Sequence, residues 1–323
     1  MKSPNLLAKK FFSFLTVISL LFCTKLIAAP YAFITNQIDN SVSVIETESN
    51  QVIKTISVTG KPVGVAVNKN KGQVYISTPN GGGFAVLDSK TLEKTGVVKV
   101  GGASLGIAVG AKGQRVFVAD WYENTVSVFD TETLKLKKII KVGQSPSGMM
   151  VSYDNRWLYV ANRVDNTISQ IDMKKLKIRN TTKVGTHPFG LSVDKKGERI
   201  YTANVESNDV TILKTNHLKR FATVKVGARP YATTLAQNDS LLFVTNQDDD
   251  TVSVIDTHTL KVISVIEVGE KPEGISTHPD DQHVYVANWF DSNISVIDAK
   301  TLQVVNTIAT GEGSRAFGLF FSN

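Results

Sequence analysis

The chain has one cysteine, Cys23, in 323 residues. That scarcity excludes an internal disulfide, a Cys-x-x-Cys-His attachment for c-type haem, and any cysteine-built zinc or iron–sulfur centre. No Walker loop or dinucleotide fingerprint occurs either, so the common nucleotide chemistries have no motif here. The five histidines, His187, His217, His258, His278 and His283, show no His-x-x-x-His spacing. They are expected to be surface-turn residues, a metal site assembled across distant segments staying open, and no cofactor is expected. Asn80-Gly81-Gly82-Gly83 is glycine-rich but opens no helix, so it lacks the helix N-terminus that would cradle phosphate and reads as a turn.

Long apolar runs are also few. One, Phe11 to Cys23, follows Lys2, Lys9 and Lys10 and precedes Leu26-Ile27-Ala28. A basic start, a short apolar core and a small-residue cleavage site form a secretory signal peptide, expected to span 1–28 and to be cleaved near Ala28. The run falls short of the ~20 residues that cross a bilayer, so no stable membrane span is expected after processing. Its removal leaves 32 bases against 29 acids, and the formal charge falls from +7 to +3. Cys23 goes with it, which suits an oxidising compartment, and the predicted location is periplasmic or secreted.

Aromatic residues make up only 8% of the chain, which makes their placement informative. Phe33, Tyr75, Phe117, Tyr159, Tyr201, Phe243 and Tyr285 follow one another at intervals of 42 residues. Around each lies one pattern: a strand ending in a small polar residue, usually Asn, an alternating strand of the VSVID kind, a Thr-Leu turn, a third strand closing at Val-Gly, and a fourth after Pro-x-Gly. Four short strands per repeat, with no helical period, spell a propeller blade. Residues 29–323 are therefore predicted to be an all-β, seven-bladed β-propeller of four-stranded blades. The chain enters at Tyr31–Asn36 and stops after Gly318–Ser322, so N- and C-terminal strands are expected to share one blade, 317–322 being its inner strand. The recurring acids Asp88, Asp130, Asp172, Asp256 and Asp298, replaced by Lys214 in one repeat, are read as turn caps.

FVTN at 243–246, YVAN at 159–162 and 285–288, the VSVID strand and the Val-Gly-x-x-Pro-x-Gly turn resemble the YVTN family of β-propeller repeat proteins across 31–323. That resemblance implies an exported or surface-layer platform. Similar propellers include lactonases, amine dehydrogenase heavy chains and a periplasmic DNA-binding protein, so it selects no chemistry.

Function is sought where the repeats differ. The residue between Pro and Gly varies as Val63, Leu105, Ser147, Phe189, Tyr231, Glu273 and Arg315, and the turn after the YVTN-like strand supplies Trp121, Tyr122, Arg163, Trp289 and Phe290. Both sets are expected on one face, here the top face, around the mouth of the central channel, with His187 beside them. Exposed aromatics with a few charges at a concave mouth suit a protein partner or a small ligand. Glu273 and Arg315 read equally as an ion pair. The expected function is a monomeric, non-enzymatic binding or scaffold module. A lactonase- or quinoprotein-type enzyme using Glu273, His187 and Arg315 is one alternative. A DNA or polyanion binder is the other, through Lys135, Lys137, Lys138, Lys174, Lys175 and Lys177, although lysines on outer strands also guard sheet edges. Asp248, Asp249 and Asp250 are a weak calcium signal without spaced partner ligands.

Overall fold

The computed structural model describes residues 30–322, so the signal-peptide assignment and Cys23 lie outside the described residues. Seven antiparallel sheets follow one another along the chain. Six have four strands in sequence order, and the first has three, Tyr31–Asn36, Ser41–Glu46 and Gln51–Ser57. This is a seven-bladed β-propeller, and we count blades from that first sheet. No helix among the described residues is long and apolar enough to cross a membrane.

The period-42 aromatics are all buried. They stand on the YVTN-like strand, the second of each four-stranded blade and the first of the three-stranded one, and point into the layers between blades, because a pleated strand alternates its side chains between the two faces. Six apolar clusters result, and each bridges neighbouring blades. One joins Tyr75, Phe84 and Phe129 across the second and third blades. Another gathers Phe33, Val65, Tyr285, Phe320 and Phe321 where the ring closes. Burial pushes the phenols of Tyr75, Tyr159 and Tyr285 up to about 12.

The Asn that ends five of the seven YVTN-like strands is a buried tie, with Thr78 and Asp120 in its place in the second and third blades. Asn36 Nδ2 donates to Ser41 and Ser43 Oγ at 2.9 Å each, and Asn162, Asn204, Asn246 and Asn288 repeat the bond to positions five and seven residues on. A polar group there would cost stability if unpaired, so the column fixes the register of two strands.

The aspartates cap turns. Asp88 Oδ1 accepts the amides of Lys90 and Thr91 at 2.8 Å, and Asp130, Asp172, Asp256 and Asp298 do likewise. These backbone bonds hold all five carboxyls below the usual range.

Inner strands meet at the Pro-x-Gly turns. Pairing with the second strand skips two residues there, as between Pro146 and Met149 or Pro188 and Leu191, and the skipped backbone bulges toward the next blade. A Cβ on Gly64 would come within 2.9 Å of Leu105 O, one on Gly106 would overlap Ser147 O, one on Gly148 would overlap Phe189 O, and one on Gly274 would overlap Arg315 O.

Segment 313–322 closes the ring. Phe33 N donates to Phe320 O at 2.9 Å and Arg315 N to Thr35 O at 2.9 Å, while Val65 N on the second blade donates to Phe317 O at 2.7 Å. The segment thus bonds on both sides, as isolated bridges at Ala32–Phe321, Asn36–Ser314 and Gly64–Phe317. It differs from the regular inner strand expected over 317–322, because Gly318 takes φ 103° and turns the chain between its two neighbours.

Two outcomes are expected. Gly106→Val should lower unfolding free energy by about 2–3 kcal/mol in urea titration, since a side chain has no room against Ser147 O. The depressed aspartates bind fewer protons folded than unfolded. Their contribution is therefore complete above the unfolded value of about 4 and is lost as pH falls through the lower folded values. Thermal midpoints should hold from pH 7 to 5 and drop below pH 4, and a flat profile down to pH 2.5 would contradict the capping role.

Candidate functional site

The turns entering the inner strands and the turns after the YVTN-like strands do share one face. That mouth is filled. Phe189 stacks on Tyr231 with ring centroids 4.2 Å apart, and Phe317 packs on both at 5.0 and 5.1 Å. Trp121 leans on Phe189 at 6.4 Å, and the Arg163 guanidinium lies over Trp121 at 5.7 Å.

Beside this stack Arg315 forms an ion pair with Glu273 and donates to Tyr231 Oη at 2.9 Å and to Gln37 Oε1 at 3.0 Å. Gln247 donates to the other Glu273 oxygen at 2.7 Å, and Trp289 Nε1 donates to Gln37 at 3.3 Å. Burial pushes the Glu273 carboxyl up, against the pull of Arg315 and Gln247. Burial also disfavours the Arg315 charge, but Glu273 and Tyr231 outweigh it and hold the guanidinium pKa above its usual value. Burial raises the Tyr231 phenol as well.

The expectation of an open aromatic mouth is therefore corrected. Phe189 and Tyr231 are 4% and 8% exposed, and Glu273 is as buried, because the rings fill the space between converging strands. Tyr122 and Phe290 remain exposed on that face, at 74% and 65%. His187 occupies a left-handed turn position with φ 57°, and its Nδ1 lies 3.7 Å from Glu206. The structure thus pairs His187 with Glu206 and Glu273 with Arg315, and does not gather the three into one set.

The opposite face is open. A cavity of about 550 Å³ runs along the axis, and Leu105, Ser147, Phe189 and Phe317 lie at its closed end. Ala108, Met149, Met150, Leu191, Leu235 and Ile275 give it a mainly apolar wall, and Ser192, Thr233, Thr234 and Thr277 interrupt it with hydroxyls. Those hydroxyls bond across blades, Ser192 to Thr233 and Thr234 to Thr277, each at 2.9 Å.

Its rim is made by the turns that leave the inner strands, with Lys69, Asn70, Tyr153, Lys195, His278 and Asp281. Asp281 ties the rim together: its Oδ2 accepts Asn238 N at 2.6 Å and Lys195 Nζ at 3.1 Å. Lys195 N donates to Asp239 Oδ2 at 2.6 Å. These bonds hold Gln237, Asn238 and Asp239 in three successive left-handed conformations, which cost L-residues roughly 1–2 kcal/mol each. Burial raises the Asp239 carboxyl against the pull of Lys195.

Sequence reasoning missed one cluster at this rim. His278, Asp280 and His283 share a turn with their donor atoms within 4.8 Å of one another. The signal was His-x-Asp-x-x-His around Pro279, a spacing that only a tight turn folds onto one point.

The remaining assigned residues fall elsewhere. Lys137 and Lys138 stand on the exposed outer strand Leu136–Lys141, with Lys135 just before it, and Lys177 opens the outer strand Lys177–Lys183 after Lys174 and Lys175. Lys137 lies 3.9 Å from Asp130. Asp248 pairs with Arg229 and Lys271, Asp249 accepts Ala228 N and Asp250 accepts Lys271 N, so the triplet serves its own turns.

The family model of YNCE-like β-propellers matches residues 118–240 and 232–314, and that of the cytochrome D1 heme domain matches residues 27–153. No curated protein matches. Among solved structures, Kuenenia stuttgartiensis hydrazine synthase superposes with a TM-score of 0.77 at 18% identity, over 83% of this chain and 92% of that one. A functionally unknown protein from Desulfotomaculum acetoxidans DSM 771 reaches 0.78 at 12% identity, over 89% and 99%. Dihydro-heme d1 dehydrogenase NirN in complex with DHE reaches 0.67 at 13% identity, over 88% and 74%. At these identities the likeness is one of fold.

The buried ion pair sets the expectation for the closed face. Glu273→Ala leaves Arg315 charged and unpaired, and should cost about 3–5 kcal/mol in denaturant unfolding, with Glu273→Gln costing less. Equal and small losses for both would show that the pair does not hold the closed face.

Proposed function

The chain belongs to the YNCE-like β-propeller family, and from that premise we propose that it is a binding module taking a small, mainly apolar ligand into its central channel. A propeller supplies a platform and leaves the chemistry to the site. The observation that carries this reading is the blind axial cavity of about 550 Å³, apolar along its wall and polar at its rim. Ligand sites of this size typically combine such a wall with a few placed polar groups. Lys69 at the rim favours a ligand whose exposed end is anionic, while Lys195 is already paired with Asp281.

The D1 match and the NirN neighbour make a tetrapyrrole one ligand class to weigh against the lining. The lining has a single imidazole, His278, whose Nδ1 faces Asp280 in its own turn and whose Nε2 faces Thr47. Both ring nitrogens are thus directed at protein groups, and neither is directed at a haem iron in the cavity. The leader-like order of residues 1–28 supports export, so the ligand is to be sought in the periplasm or outside the cell.

A second surface is favoured by Tyr122 and Phe290. Two large exposed aromatics on the closed face suit a protein partner, because rigid rings bury area at low entropic cost.

A fluorescent anionic naphthalene dye separates the two. The cavity should bind it with one dye per chain, and Met150→Trp, which fills the wall, should weaken binding at least tenfold. Trp121→Ala and Trp289→Ala should leave the affinity unchanged. The reverse order would move the ligand site to the closed face.

A further inference from the structure

We propose that the turn from His278 to His283 binds a borderline divalent transition-metal ion, of the Zn2+ or Cu2+ class, through His278 Nδ1, Asp280 Oδ2 and His283 Nδ1. The turn is built for fixed positions. His278 N donates to His283 O at 2.8 Å and Asp281 N to His278 O at 2.9 Å, with Pro279 restricting the backbone between.

Asp280 divides its labour between its two oxygens. Oδ1 accepts the amides of Gln282 at 2.7 Å and His283 at 3.0 Å, which is the capping role that Asp154 plays for Arg156 N in the fourth blade. Oδ2 takes no part in the turn and instead meets both rings, at 3.0 Å from His278 Nδ1 and 2.7 Å from His283 Nδ1.

The tautomer of His278 follows from its neighbours. Thr47 Oγ1 donates to Pro30 O at 2.7 Å, so its lone pairs are left to accept from His278 Nε2 at 3.1 Å. With the proton assigned to Nε2, Nδ1 carries a lone pair, and the Asp280 amide approaches it at 3.2 Å as a donor. That lone pair also lies 3.0 Å from Asp280 Oδ2, and a cation held between nitrogen and carboxylate takes it over from the long contact with the amide. Thr47 holds the ring in the orientation that ligation needs, the usual service of a partner on the far nitrogen.

Packing fixes the ring further. His278 stacks on Tyr285 at 6.1 Å and meets Phe321 edge-on at 5.3 Å. Tetrahedral bonds of about 2.1 Å put donors about 3.4 Å apart, so His278 Nδ1 and His283 Nδ1, at 3.0 and 2.7 Å from Asp280 Oδ2, need to draw back from it by less than about 1 Å. Two imidazoles and one carboxylate suit these ions and leave positions for water or an added donor.

The set is peculiar to the seventh blade. The same three turn positions carry Asn68, Asn70 and Gln73, then Gly110, Lys112 and Arg115, then Ser152, Asp154 and Trp157, then Asp194, Lys196 and Arg199, and Ala236, Asn238 and Leu241. The turn therefore forms without histidine, and the fold does not account for the pair.

Untagged protein freed of metal by chelation is titrated with ZnCl2 in a calorimeter at pH 7.5, and thermal unfolding is followed in parallel. One ion per chain is expected, with a higher melting temperature when it is bound. His283→Ala and Asp280→Asn should each weaken binding at least tenfold and abolish the thermal shift, while melting without metal as wild type does within a few degrees. His283→Ala removes a ring that bonds only Asp280, so it tests the site even where Asp280→Asn disturbs the turn. Absence of saturable binding, or binding unchanged in both variants, would overturn the assignment.

Discussion

Everything in this molecule hangs on how closely seven backbones approach one another around one axis. At Gly64, Gly106, Gly148, Gly190 and Gly274 the space a methyl group would need is already held by the next blade. That contact brings the residue between Pro and Gly of each blade into one small ring of side chains. With seven such residues converging, large ones fill the axis, and Phe189, Tyr231 and the Glu273–Arg315 pair do so here. Further along, Ala, Ser, Thr, Met, Leu and Ile side chains line the axis without filling it, and a cavity remains. One constraint therefore yields a closed end and an open one.

The two ends differ in chemistry as well as in access. The closed end satisfies itself: the Arg315 guanidinium reaches Glu273, Tyr231 and Gln37, and little polar capacity is left over. The open rim is held by Asp281 and Asp239 through amides and Lys195, in three successive left-handed residues. Backbone held so far from its easy conformations tends to mark sites where position matters more than stability. Cavity, rim lysines and the histidine turn all lie on that side.

Periodicity made most of the fold legible. The aromatic column, the Asn ties and the Asp caps recur at one spacing, and a residue type repeated seven or five times declares its role by its invariance against a changing background. Phe317 escaped because it belongs to no column: its counterparts are Val65, Ile107, Met149, Leu191, Thr233 and Ile275. Only the bend at Gly318 carries it under the mouth, where it completes the stack with Phe189 and Tyr231. Trp121 was placed on the correct face, but its depth depended on Phe189 and Arg163, two and one repeats away. His278 and His283 were visible as letters, and what was lacking was the turn geometry that aims both rings at one oxygen of Asp280.

The bonds that segment 313–322 makes to the first and second blades join residues about 250 to 290 positions apart, as between Val65 and Phe317 and between Tyr31 and Ser322. Every other neighbouring pair of blades can dock as synthesis proceeds, but the first and second blades wait for a wedge that is made after all the other blade strands. Contacts this distant in sequence come late and slowly in folding. A chain with this connectivity stays an open arc until segment 313–322 is made, and only then does it lock into a ring.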